Sequence, residues 1–264
     1  MLINAKKLMG LTVHAKDGDA GEVQAFYFDN RWWSVRYLAV ETGSWFNSRR
    51  VLVPPASFSS IDISSKRINS NLTVDQIQGS PDVDFNLVLS RGVEADTLRH
   101  RGLPRFTLTN EERLLSQLLP HETAEERIMT SRGEKTFASV QQGGMSMAAE
   151  LVPGARHLFS SDEIFRYRLQ ATDSDIGNID DVILDDRTWA IKYLIVDTSQ
   201  LQPERKVLLS PWRIDRIGVI ESMIRINLSK TAINGGPGYD PSRQIDAEYD
   251  RNVREYYESV SHLV

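Results

Sequence analysis

The stretch DGDAGEVQAFYFDNRWWSVRYLAVET at 17–42 is written again as DSDIGNIDDVILDDRTWAIKYLIVDT at 173–198, and one offset of 156 aligns the two without a gap. Asp17, Asp19, Gly21, Asp29, Trp33, Tyr37 and Thr42 recur as Asp173, Asp175, Gly177, Asp185, Trp189, Tyr193 and Thr198. The register continues through Val51 and Val207, Pro55 and Pro211, Asn71 and Asn227, and Gly79 and Gly235. Each copy therefore spans about eighty residues, roughly 4 to 84 and 160 to 240, and the chain can adopt only an architecture that one copy can form.

Within a copy the period is two. Val23, Ala25 and Tyr27 alternate with Gln24, Phe26 and Phe28, and Trp33, Val35, Tyr37 and Ala39 alternate with Ser34, Arg36, Leu38 and Val40. Together with the β-branched and aromatic content this predicts strands. Asp17, Gly18, Asp19 and Gly21 supply turn residues, and Asp29, Asn30 and Arg31 mark a tight hairpin. Shorter strands are expected near 50–53, 57–62 and 66–72, with equivalents near 206–210, 213–217 and 223–228. Five or six short antiparallel strands in so short a copy predict a small closed barrel, since closure removes exposed edges.

The fold class expected is thus mainly β: two small barrels from an internal duplication, residues 1–84 and 160–240, with a partly helical, partly flexible insert at 85–159. In the insert, Thr109 to Pro120 reads as a short capped helix, and 130–150 as loosely ordered. After the second copy, Asp240 with Pro241 predicts the start of an amphipathic helix over 241–264, its apolar face carried by Ile245, Tyr249, Val253, Tyr256 or Tyr257, Val260 and Leu263. That face must land on a barrel or on a second subunit.

Composition narrows the chemistry. The formal charge of -5 provides no global basic field for nucleic acid or anionic lipid, and the absence of cysteine removes disulfides, thiolate ligands and thiol nucleophiles. No apolar run approaches the length of a membrane helix, so a cytoplasmic protein is expected. The paired aspartates do not fit a calcium loop, because glycine falls at position five and Phe28 or Leu184 at position twelve. The five histidines have no metal-ligand spacing, and no catalytic motif is present. No catalytic, metal or cofactor residue is assigned.

Two groups of residues remain as candidates. Arg36 and Lys192 occupy equivalent positions in otherwise apolar strands and suit an anion pocket, or else snorkel to the rim or pair with a carboxylate such as Asp29 or Asp185. Trp33 and Trp189 recur and read as core. Trp32, Trp45, Phe46 and Trp212 occur in one copy only, facing Thr188, Leu201, Gln202 and Ala56; they either dock a partner or cover another part of the chain.

The order of motifs resembles the PRC-barrel domain, known from the cytoplasmic part of the photosynthetic reaction-centre H subunit and from a ribosome maturation factor. The resemblance lies in the opening Leu8, Gly10, Leu11 and Val13, the D-x-D-x-G turn, FDNRWWSVRYLAVETGSW, VLVPPASF and LTVDQIQGSPDVD, echoed in the second copy by VLLSPWRI and LSKTAINGGPGYDPSRQ. Members of that family are generally docking or assembly modules and not enzymes, which is what the resemblance implies here; the motifs themselves are turn and core residues and carry a fold, not an activity. The expectation is a cytosolic adaptor that docks a protein partner or itself, with homodimerisation through the last helix, no cofactor and no nucleic acid. The alternatives are a small-ligand or anion-binding protein with a pocket between the barrels, and an accessory factor in RNA processing or ribosome maturation.

Overall fold

The computed structural model describes residues 1–30, 32–43, 48–80, 158–198, 205–219, 221–243 and 245–260. The expected insert helix at 109–120, the segment 130–150, Trp45, Phe46 and Leu263 lie outside them. Among the described residues, no helix is long and apolar enough to cross a membrane.

Each copy forms one sheet. The first comprises β2 (Thr12–Ala15), β3 (Gly18–Asp29), β4 (Ser34–Thr42), β5 (Arg49–Val53), β6 (Phe58–Asp62) and β7 (Arg67–Ser70), in the order β5-β4-β3-β2-β7-β6. The second comprises β9 (Arg168–Gln170), β10 (Asp175–Asp185), β11 (Ile191–Asp197), β12 (Lys206–Leu209), β13 (Ile214–Gly218) and β14 (Met223–Ile226), in the same relative order. The duplication extends to the irregularities. Register shifts at Val23/Ala25, Tyr27/Phe28 and Phe58/Ser60 recur at Ile179/Asp181, Ile183/Leu184 and Ile214/Arg216. Such bulges bend a strand at a set place, so the two sheets curve alike.

Two expectations need correction. The pairings are not all antiparallel, because β2 runs parallel to β7 and β9 to β14. The cause is the Pro54-Pro55 corner: the 3-10 turn Pro55–Ser57 carries the chain from β5 to β6 without a hairpin reversal, so β7 returns in the direction of β2. Nor, among the described residues, does either sheet close by hydrogen bonds, since β5 and β6 end the first and β12 and β13 the second. The β5 edge is instead shielded by the short helix α1 (Val74–Gln78), and β12 by Gly238 bridging Val207 and by α3 (Lys230–Gly235). Covering an edge serves where closure does not.

The copies also trade strands. β1 (Leu2–Asn4) leaves its own sheet and pairs with β10, Leu2 opposite Asp185 and Asn4 opposite Ile183. β8 (Leu158–Ser160), its counterpart at the same offset, pairs with β3, Leu158 opposite Asp29 and Ser160 opposite Tyr27. Polar contacts secure each crossing. Asp181, buried within β10, accepts from Asn4 Nδ2 and the Lys6 amide, both at 3.0 Å, and its burial raises its pKa above the ordinary carboxylate value. Ser161, which opens α2 (Ser161–Ile164), accepts the Phe26 amide at 3.2 Å.

A third link lies between the two crossings. Ser34 bridges Ala190, the Val35 amide donates to Trp189 O at 2.9 Å and the Ile191 amide to Trp33 O at 2.6 Å. To present those carbonyls both tryptophans adopt positive φ, 51° and 60°, a conformation costly for a bulky residue and held here by burial on both sides. Trp33 stacks on Phe28 at 5.4 Å, and Phe58 of the first copy lies 6.0 Å from Trp189 of the second. One continuous apolar cluster therefore runs through both sheets.

The terminal helix, α4, is described over Ala247–Val260, starting later than the expected 241. Asp240 is spent on a turn, accepting from the Ser242 amide and hydroxyl, and Asp246 accepts the Tyr249 amide at the true helix start. The expected face is the buried one: Val253 and Tyr257 are fully covered, with Tyr249, Tyr256 and Val260 partly so. It lands on the chain's own second copy, where Tyr193 donates to Asp250 at 2.6 Å, Tyr256 to Ala232 O at 2.7 Å, and Arg213 to Tyr257 O at 2.8 Å. The apolar face that sequence offers to a second subunit is thus occupied within the chain.

Candidate functional site

The residues shared by both copies are consumed by folding. Asp17 does more than turn the chain, since its carboxylate accepts the Val74 amide at the start of α1 at 2.7 Å, and Asp173 does the same for Lys230 of α3 at 2.8 Å. The far ends of these helices are gripped as well. Arg49 donates to Gln78 O and Ser80 O, and Arg205 to Asn234 O and Gly236 O. This duplicated arginine escapes pattern reading because a lone Arg beside a strand carries no local signal; its recurrence at the common offset is the clue. Gly21 and Gly177 lie where a Cβ would collide with the carbonyl oxygens of Glu41 and Asp197, at φ of 151° and 140°. The D-x-D-x-G signature is therefore a helix clamp plus a close strand crossing. Its remaining carboxylate in the first copy, Asp19, receives His14 Nδ1 at 2.6 Å, and that hydrogen bond holds its pKa below the ordinary value.

Arg36 and Lys192 do not form one pocket. Arg36 is 3% exposed, and its Nε donates to Asp29 Oδ2 inside the first sheet. Asp29, itself 3% exposed, also accepts the Trp32 amide at 2.7 Å, so one carboxylate both holds the hairpin turn and neutralises the arginine. In the second copy Asp185 accepts the Arg187 and Thr188 amides at 2.9 and 3.1 Å, and these bonds bring its pKa down against the opposing effect of burial, with a smaller contribution from Lys192. Lys192 is only half-buried. For Arg36 the partner is the carboxylate of Asp29.

Among the tryptophans, Trp33 and Trp189 are core as expected. Trp32 is corrected from a docking candidate to a covered residue, 6% exposed, because the Asp29 turn folds it back onto the sheet. Trp45 and Phe46 lie outside the described residues. Of the two described candidates, Trp212 is the one presented outward: it sits mid-turn in the 3-10 segment Pro211–Arg213 and is 51% exposed, where Met1 is the other exposed large apolar residue among those described. No group of three or more His, Cys, Asp or Glu that could hold a metal gathers among the described residues.

No curated protein matches the chain. The model of the PRC-barrel domain matches residues 2–77, the span from β1 into α1. The second copy repeats the strand order of the first outside the matched span. The N-terminal repeat of this chain is a PRC-barrel domain.

Proposed function

We propose that the chain is a noncatalytic adaptor whose duplicated barrel-type sheets dock a protein partner. The observation that carries this is Trp212. A half-exposed indole on a short proline-initiated turn costs solvation, and the equivalent position in the other copy is Ala56, so the fold does not require it. Tryptophans of this kind supply the anchors of protein interfaces. The exchanged strands favour the reading further, because they tie the two repeats together by backbone pairing while the turn stands exposed.

The test is affinity capture with the full chain from its native cell, wild type against Trp212→Ala, each checked for unchanged circular dichroism and melting. A partner recovered in near-equal amount by the wild type and lost with Trp212→Ala is expected. Recovery undiminished by the substitution, or no partner at comparable amount, overturns the assignment.

A further inference from the structure

The two sheets differ at a pair of facing positions on their outer faces. In the first, Ser60 of β6 lies opposite Asn69 of β7, and Asn69 Nδ2 donates to Ser60 Oγ at 2.8 Å. The equivalent positions in the second are Arg216 of β13 and Arg225 of β14, directly opposite each other and both exposed. Like charges facing across an antiparallel pair oppose folding, and the sister sheet shows that a neutral hydrogen-bonded pair fits the same site. Arg168 of β9, also exposed, stands opposite Met223, two residues from Arg225, and replaces Thr12 of the first copy. Among the described residues, no side-chain hydrogen bond or ion pair engages Arg168, Arg216 or Arg225.

Arg216 and Arg225 line a shallow cleft with Gly218, Glu221 and Met223. Glu221 is its one carboxylate and folds over Gly218, where its Oε2 would sit 2.5 Å from a Cβ. The cleft lies beside β13, which ends its sheet and among the described residues pairs with β14 alone, so the backbone groups on its outer edge stand outside the described ladder.

The geometry points to this face as the docking site for an acidic, extended protein segment that adds to the β13 edge and places carboxylates against Arg216 and Arg225. The assignment rests on the docking function proposed above and names the chemistry of the partner. An extended peptide uses both features, edge hydrogen bonds for affinity and alternate side chains for charge pairing. A nucleic acid uses only the second, and a chain of net charge -5 gives it no wider basic track.

The experiment uses the full chain and a labelled ten-residue peptide alternating Glu and Val, its Lys-for-Glu counterpart, and a labelled oligo-uridylate, each followed by fluorescence anisotropy. The acidic peptide is expected to bind, more weakly as salt rises; the lysine peptide is not. Arg216→Gln with Arg225→Gln should weaken binding at least about tenfold with folding intact. No binding at millimolar peptide, or binding unchanged in the double variant, overturns the assignment, as does a preference for oligo-uridylate that the double variant abolishes. The two proposals separate in the capture assay: a partner lost with Trp212→Ala but kept by the double arginine variant sinks this inference alone, and the converse sinks the Trp212 assignment alone.

Discussion

Replacing Arg36 with methionine removes the guanidinium bonded to Asp29 and leaves that carboxylate inside the sheet without its counter-ion. Both groups are about 5% exposed or less, so solvent offers little relief. Breaking a buried pair on one side costs about 3–5 kcal/mol, and Asp29→Asn, which strands the arginine charge instead, should cost about the same. The double variant Asp29→Asn with Arg36→Met strands neither charge, and the side-chain oxygen of the introduced amide can still accept the Trp32 amide proton, as the carboxylate does. Its cost should fall to about 1–2 kcal/mol, at least about 3 kcal/mol below the sum of the singles. In urea unfolding at pH 7, with a slope of about 3 kcal/mol/M for a chain of this size, each single variant should lose roughly 1–2 M at the midpoint and the double variant well under 1 M. Additive losses, or single variants that lose less than about 1 kcal/mol, would show that the pair is not a self-contained core element and would restore Arg36 as an anion ligand.

Two further predictions concern the shared framework. Gly177→Ala forces a Cβ onto Asp197 O at a φ of 140° and should cost about 3 kcal/mol or more, whereas Gly238→Ala, with nothing within 4 Å of the added carbon, should change stability by under about 1 kcal/mol. Equal effects in chemical denaturation would refute the crossing argument. Burial raises the pKa of Tyr27, Tyr167, Tyr193 and Tyr257 above the ordinary 10.0. The neutral phenols therefore contribute full stability below pH 10, and that contribution declines as pH rises past it. Phenolate absorbance should appear together with the loss of circular dichroism, and titration of these tyrosines in the folded state near pH 10 would contradict their burial.

The strands, their hairpins and their repetition were legible because they rest on neighbours in sequence: period-two alternation, Asp-rich turns and one offset. Even the face of α4 was readable, since 3.6-residue spacing survives the shift of its start from 241 to 247. What was not legible depends on distant partners. Leu2–Asn4 and Leu158–Ser160 are three-residue strands with no period of their own, and nothing local says that each belongs to the other copy's sheet. Open edges escaped for the same reason, because the shielding of β5 by α1 is a tertiary contact. Arg36 among apolar neighbours flagged itself, yet its choice of Asp29 over an external anion follows only from the hairpin that brings positions 29 and 36 together. Arg216 and Arg225 are nine residues apart and read as ordinary surface until the register sets them face to face.

The traded strands bear on how such a protein can change. Because Leu2–Asn4 joins the later sheet and Leu158–Ser160 the earlier one, each half lends the other its leading strand, as two subunits of a homodimer do when they embrace. A gene fusion that joined such subunits would keep the embrace while freeing the halves to specialise separately. One half carries Ser60 and Asn69 and the other two arginines at the same seats, an asymmetry that no symmetric pair of identical chains could hold.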